Sequence, residues 1–143
     1  MNQLVLQLIL GAGLIVIATA IQAVGVTLLM TYRPHLARKI GQMRAGAMIT
    51  VMSLGALWML AWQSLGVWCW AVLLRLVGAF DSLEPALYFA IAAYTTLGFG
   101  DVLPPEAWRI MGAMIGANGM IAFGLATAAL VAFIEAVRDD LIG

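Results

Sequence analysis

The sequence predicts an all-α membrane protein: three helices long enough to cross a bilayer, with a short helix and an extended loop set between the second and third. Three observations predict it. Of the 143 residues, 64% are hydrophobic and 10% charged, against roughly half and a quarter in soluble domains. Mean hydropathy is +1.04, more apolar surface than a soluble fold of this size can hide. The apolar residues gather in long runs at 4–30, 45–79 and 107–137, and in a short one at 83–95.

Taken in order, the run 4–30 is long enough to span. Ala18-Thr19-Ala20 resembles a leader cleavage site, but no Lys or Arg precedes the run and it continues well past that point, which argues for a retained helix. TYRPHLARKIGQMR follows, with Arg33, His35, Arg38, Lys39 and Arg44 and no acid. Pro34 is expected to end the helix. By the positive-inside rule the stretch faces the cytoplasm and the N-terminus lies outside, with the basic side chains near anionic lipid head groups. Residues 1–44 thus form one unit, a helix and a basic loop, and residues 45–143 a second.

The run 45–79 is longer than a straight crossing requires: at about 1.5 Å per residue it would extend roughly 50 Å, so it tilts, projects, or bends at Gly66 or Gly78. Trp58, Trp62, Trp68 and Trp70 suit interface anchoring and packing between helices. Arg75 falls at the outer end, facing water or the acids Asp81 and Glu84. Asp81-Ser82-Leu83-Glu84-Pro85 reads as a helix start, with a capping residue, an acid at the positive end and proline in the first turn. The helix it opens, 82–95, reaches about 18–20 Å, a little over half of the hydrocarbon core. It is re-entrant. Pro104-Pro105 ends the loop, and 107–137 crosses again, which places the C-terminus in the cytoplasm.

Composition and spacing exclude several functions. Formal net charge is zero, so a nucleic-acid partner has no electrostatic support. Cys69 is the single cysteine and cannot form a disulfide within the chain; it suits packing. The single histidine, His35, sits in the basic loop, and the acids never fall at metal-ligand or nucleophile spacing, so no enzyme is expected.

That leaves AYTTLGFGD, residues 93–101. Alternate glycines spoil a helix, and bare backbone in a membrane is costly unless it lines water or protein. Glycine accepts φ > 0, so an extended chain with glycine at alternate positions can turn successive carbonyls the same way. Several copies around one axis then offer stacked rings of oxygens. The Thr96 hydroxyl adds a ring, and the short helix aims its negative carbonyl end at the same place. Such rings replace the hydration shell of a bare monovalent cation. One chain supplies one oxygen per ring, so a monomer cannot form the site.

TTLGFGD resembles the Thr-Val-Gly-Tyr-Gly-Asp filter of potassium channels. YFAIAAYTTLGFGDVLPPEAWRIMGAMIGANGMIAFGLATA is similar to the pore regions of small bacterial potassium channels with a TTLGYGD filter. The resemblance covers about residues 70–133 and implies a homotetramer in the cell membrane, the bacterial inner membrane, conducting K⁺ passively through a central pore. Carried over, it implies K⁺ binding by the carbonyls of Thr96, Leu97, Gly98 and Phe99, with the Thr96 hydroxyl. Gly98 and Gly100 permit the backbone geometry, Thr95 ends the pore helix and Asp101 stands at the outer mouth. The filter segment is then 96–101.

The departures carry their own expectations. Leu97 replaces valine and Phe99 replaces tyrosine. Tyr88 and Phe89 stand where paired tryptophans are common, and Ala92 where some relatives have a buried glutamate. Asp101 is therefore expected to be steadied by Tyr88 or Trp108. Phe99 lacks a hydroxyl to brace the filter, which makes a weakly selective monovalent cation channel the alternative. A non-conducting membrane subunit of a larger complex is the second alternative; it does not explain residues 95–101. In the last helix, Gly116 and Gly119 are the expected hinge and Thr127, Leu130 and Phe133 or Ile134 the expected lining of the exit. Asn118 should face a partner helix or the water-filled cavity. No helix carries arginine at every third position, so no voltage sensor of the usual kind is expected. That leaves a channel that is constitutively leaky, gated at the filter, or governed by lipid or a regulatory subunit.

Overall fold

The computed structural model describes residues 2–40 and 46–142. Its elements are helix α1 (Gln3–Ile40), α2 (Ala47–Leu76), α3 (Leu83–Tyr94) and α4 (Arg109–Ile142), with a 3₁₀ turn at Glu106–Trp108 before α4. Among the described residues there is no strand. Three helices are long and apolar enough to cross a membrane, and α3 is not. The chain is thus an all-helical, multi-pass membrane protein.

One boundary differs from expectation. Helix α1 continues through Pro34 to Ile40. The ring removes one hydrogen bond, that to the carbonyl four residues back, and a helix of 38 residues can lose one bond without ending. Arg38 and Lys39 therefore lie on α1, while Arg44 falls outside the described residues. At the other anticipated breaks, α2 is continuous through Gly66 and ends at Leu76, with Gly78 just beyond its cap. There φ is +73°, Ala79 N–H donates to the Leu74 carbonyl (2.9 Å) and Gly78 N–H to that of Arg75 (3.2 Å). This is the Schellman closure that a left-handed residue permits. Ser82 stands extended at the start of α3, but its side chain makes no capping hydrogen bond.

Contacting pairs give the directions. Gln3 meets Ala107, Gln7 meets Met111 and Gln22 meets Ala122, so α1 and α4 run parallel. Trp58 on α2 meets Gly25 on α1 (2.9 Å, indole N–H to carbonyl), and Trp70 meets Asn118 on α4; α2 runs opposite to both. The start of α1, the end of α2 and the 101–105 loop therefore share one face of the membrane, and the basic end of α1 lies at the other.

Two apolar clusters hold the bundle. Near the loop, Trp70 and Leu74 of α2, Phe89 and Tyr94 of α3 and Met111 and Ile115 of α4 pack together. Toward the basic end, Leu29, Val51, Met59, Ala126, Phe133 and Val137 form the second. Helices approach closely where glycine leaves a notch: Met114 enters at Gly11, Trp62 at Gly25, Phe133 at Gly55 and Phe89 at Gly112. Asn118 faces a partner helix, its Oδ1 accepting the Trp70 indole N–H at 2.8 Å, fully buried.

Candidate functional site

Helix α3 is 12 residues long, about 18 Å at 1.5 Å per residue, and its carbonyl end delivers the chain to residues 95–101. The last carbonyls of a helix have no partner inside it. Here the loop supplies them: Thr95 N–H donates to Ile91 (3.0 Å), Thr96 N–H to Ala93 (3.0 Å) and Gly98 N–H to Ala92 (3.1 Å). The Thr95 hydroxyl adds a bond to the Ile91 carbonyl at 2.8 Å.

These bonds fix peptide planes. In a trans peptide the N–H and the preceding C=O point opposite ways. With the Thr96 and Gly98 N–H groups turned back onto α3, the Thr95 and Leu97 carbonyls point away from it. The signs of φ then alternate: Thr96, Gly98 and Gly100 are at +59°, +54° and +79°, and Leu97 and Phe99 between them are not positive. At Gly98 and Gly100 nothing lies within 4 Å of where a Cβ would be. Glycine is required there by backbone conformation and not by crowding. Residues 95–100 are all exposed in the isolated chain.

Thr96 is the residue that spacing alone did not mark as unusual. A β-branched residue at positive φ is an outlier, held by its N–H bond to Ala93. Tyr94 was likewise missed. Its side chain is 2% exposed, its ring lies against Phe123 with centroids 6.2 Å apart, and its hydroxyl sits at the Gly66 notch. An aromatic residue with a polar tip closing an apolar half-helix is the signal that was available.

Beyond the loop, the Tyr88 hydroxyl donates to Asp101 Oδ2 at 2.7 Å. That hydrogen bond holds the Asp101 carboxyl below the usual carboxylate range. Of the two expected partners, Tyr88 makes the bond; Trp108 is half-buried against the core at the 3₁₀ turn. A depressed folded-state pKa contributes stability above the unfolded pKa, and this is lost as pH falls through the folded value. Tyr88→Phe is therefore expected to move the acid-induced loss of loop order to higher pH, read as the Asp101 titration by carboxylate infrared absorption. An unchanged titration would remove the bond from the account.

On α4 the expectations divide. Gly116 and Gly119 abut the Ala93 and Tyr94 carbonyls of α3, and a Cβ at Gly119 would fall on the Tyr94 carbonyl. The helix is continuous through both, and both sit where α4 approaches α3 closely. Phe133 does not line an exit: it is fully buried, beside the Gly55 notch on α2, and Leu130 packs at the same notch. Thr127 is exposed, its hydroxyl bonded to the Phe123 carbonyl (2.9 Å), and it stays on the open face. Ile134, the alternative to Phe133, is half-buried.

Among the described residues no three His, Cys, Asp or Glu side chains come together as a metal cluster. The oxygens this segment offers are its backbone carbonyls, the Thr95 and Thr96 hydroxyls and the Asp101 carboxylate. Neither the curated proteins nor the solved structures compared with the chain gave a match. Residues 57–136 match the family described as Ion channel, from the middle of α2 through α3 and the glycine loop to the end of the apolar part of α4. The match takes in more than half of the chain, and the chain belongs to this ion-channel family.

Proposed function

We propose that four copies of the chain form a potassium channel that passes K⁺ down its electrochemical gradient. The observation that carries this reading is the alternation of φ along 96–100, with the N–H groups of Thr96 and Gly98 turned back onto α3. A backbone that alternates between left-handed and ordinary conformations, pinned on its N–H side, can present carbonyls to one side only. Four such segments around an axis build rings of oxygen that stand in for water around a dehydrated K⁺. In the isolated chain Leu97 is 58% and Phe99 67% exposed. Neighbouring copies supply the cover these apolar side chains lack.

Thr96, Leu97, Gly98 and Phe99 are the residues assigned to K⁺, with Thr95, Gly100, Asp101 and Tyr88 as their support. The face of α4 left uncovered by α1, α2 and α3 carries Met120, Gly124, Thr127 and Val131 at helical spacing, all exposed, and we assign it to the wall of the pathway. The glycine loop is set on the outer face of the cell membrane, because the basic run lies at the opposite end of α1.

A specific observation favours a second reading, a weakly selective cation channel. Phe99 has no hydroxyl, and among the described residues the tie between two side chains at the loop is the bond from Tyr88 to Asp101. Reversal potentials in liposomes with K⁺ on one side and equimolar Na⁺ on the other separate the two. A large potential toward the K⁺ equilibrium value is expected. A value near zero establishes the second reading, and absence of any current sinks both.

A further inference from the structure

Helix α1 lies outside the family match, which begins at residue 57. Its buried stripe is nonetheless specific: Gln7, Gly11, Ala18, Gln22, Gly25 and Leu29. A helix that only filled space between lipids would have no use for amides on its covered side, because an unpaired amide in an apolar setting is costly. Gln7 is 3% and Gln22 2% exposed. Both reach backbone groups of α4.

The contact at the start of α4 is the informative one. The first N–H groups of a helix have no partner within it. Met111 is the third residue of α4, and its N–H donates to Gln7 Oε1 at 3.3 Å. One turn earlier on α1, Gln3 Nε2 donates to the Ala107 carbonyl at 3.2 Å. The two glutamines advance by four residues and so do their partners. One offers an acceptor to an N–H in the first turn of α4 and the other a donor to a carbonyl of the 3₁₀ turn. Together they act as a cap delivered from a separate helix.

The segment they hold is also the far end of the glycine loop. Its near end is tied to α3 through Tyr88 and Asp101; its far end, at residues 107–111, is tied to α1. We propose that Gln7, assisted by Gln3, is a positioning residue of the ion pathway: it fixes where α4 begins and so the span of the 101–108 connection that carries the outer end of the filter. The proposal rests on the channel reading above.

Gln7→Leu removes the acceptor at similar bulk, and Gln7→Glu keeps an acceptor oxygen opposite the positive end of α4. Two measurements are made on the assembled protein in liposomes: amide hydrogen exchange over residues 109–113, and the K⁺/Na⁺ permeability ratio. Gln7→Leu is expected to speed exchange of the Met111 amide by about fivefold, the size of one net hydrogen bond. It is also expected to lower the permeability ratio, with both restored in Gln7→Glu. Unchanged exchange means that Gln7 does not hold the helix start; faster exchange with an unmoved ratio means that its role is structural only. Either result overturns the proposal. Should Gln7→Leu fail to assemble, Gln3→Leu, at an exposed position, must show the same two changes at smaller size, and its matching the parent also overturns it. A parent protein that passes no ion sinks the channel reading and this proposal with it, whereas the exchange data report the Gln7 bond on their own.

Discussion

Gly98→Ala is expected to lower K⁺ flux by at least about a hundredfold while leaving a protein that still folds and inserts. At Gly98 φ is +54°, and no heavy atom lies within 4 Å of a Cβ at that position. The methyl group meets no neighbour in the chain, so the whole penalty is conformational, about 1–2 kcal/mol for an L-residue in the left-handed region. Relief comes by rotating the flanking peptides. That rotation breaks the Gly98 N–H bond to Ala92 and swings the Leu97 carbonyl away from its direction. In the proposed ring of four copies the penalty would be incurred four times around one ion path, where a single misdirected ring would block it. Fluorescence-detected K⁺ flux in liposomes, scaled to protein inserted, measures the loss. A variant conducting within twofold of the parent would mean that these carbonyls are not the ion's ligands.

Thr96 sharpens that argument. It already holds φ of +59° without being glycine, so a left-handed non-glycine residue is possible in this loop where the surroundings over-determine it. The N–H bond to Ala93 does so at Thr96, immediately beyond the end of α3. Gly98 is further out and has one backbone bond to a carbonyl six residues back, with open space where its side chain would be.

What was legible in the sequence was local chemistry. The glycine alternation, the proline and acid that open α3, and the position of Asp101 all depend on residues within a few places of one another, and the geometry follows from them. What was not legible depends on distant partners. Phe133 is an apolar residue that either face of α4 accepts; the notch that draws it inward is Gly55 on another helix. The covered side of α1 was invisible for a different reason. In a membrane the lipid-facing side chains are the greasiest, and the stripe that packs inward is Gln, Gly and Ala, so no apolar face marks the docked side. Pro34 misled because a breaker costs one bond, and the helix around it keeps the rest.

Gly119→Ala is expected to destabilise the folded protein, with Gly124→Ala as its internal comparison. Both substitutions add the same methyl group to the same helix. At Gly119 that group falls on the Tyr94 carbonyl, a backbone atom at the end of α3, and backbone there cannot step aside. The Tyr94 ring is wedged between Phe123 and the Gly66 notch, and the carbonyls just before it are bonded to Thr95, Thr96 and Gly98. Either α4 separates from α3, opening the core around Met111 and Ile115, or the end of α3 shifts and carries Thr96 with it. Overpacking of this kind costs about 1–3 kcal/mol per site, and in the proposed tetramer it would recur in every copy. At Gly124 nothing lies within 4 Å, so alanine adds no clash and removes only backbone freedom. Thermal unfolding of the detergent-solubilised protein, followed by intrinsic fluorescence, should show a clear fall in midpoint for Gly119→Ala and none for Gly124→Ala. Equal midpoints for all three proteins would mean that α3 and α4 do not meet as closely as the structure has them. A change of flux in Gly124→Ala at an unchanged midpoint would fit its place on the open face of α4 that we assign to the wall of the pathway.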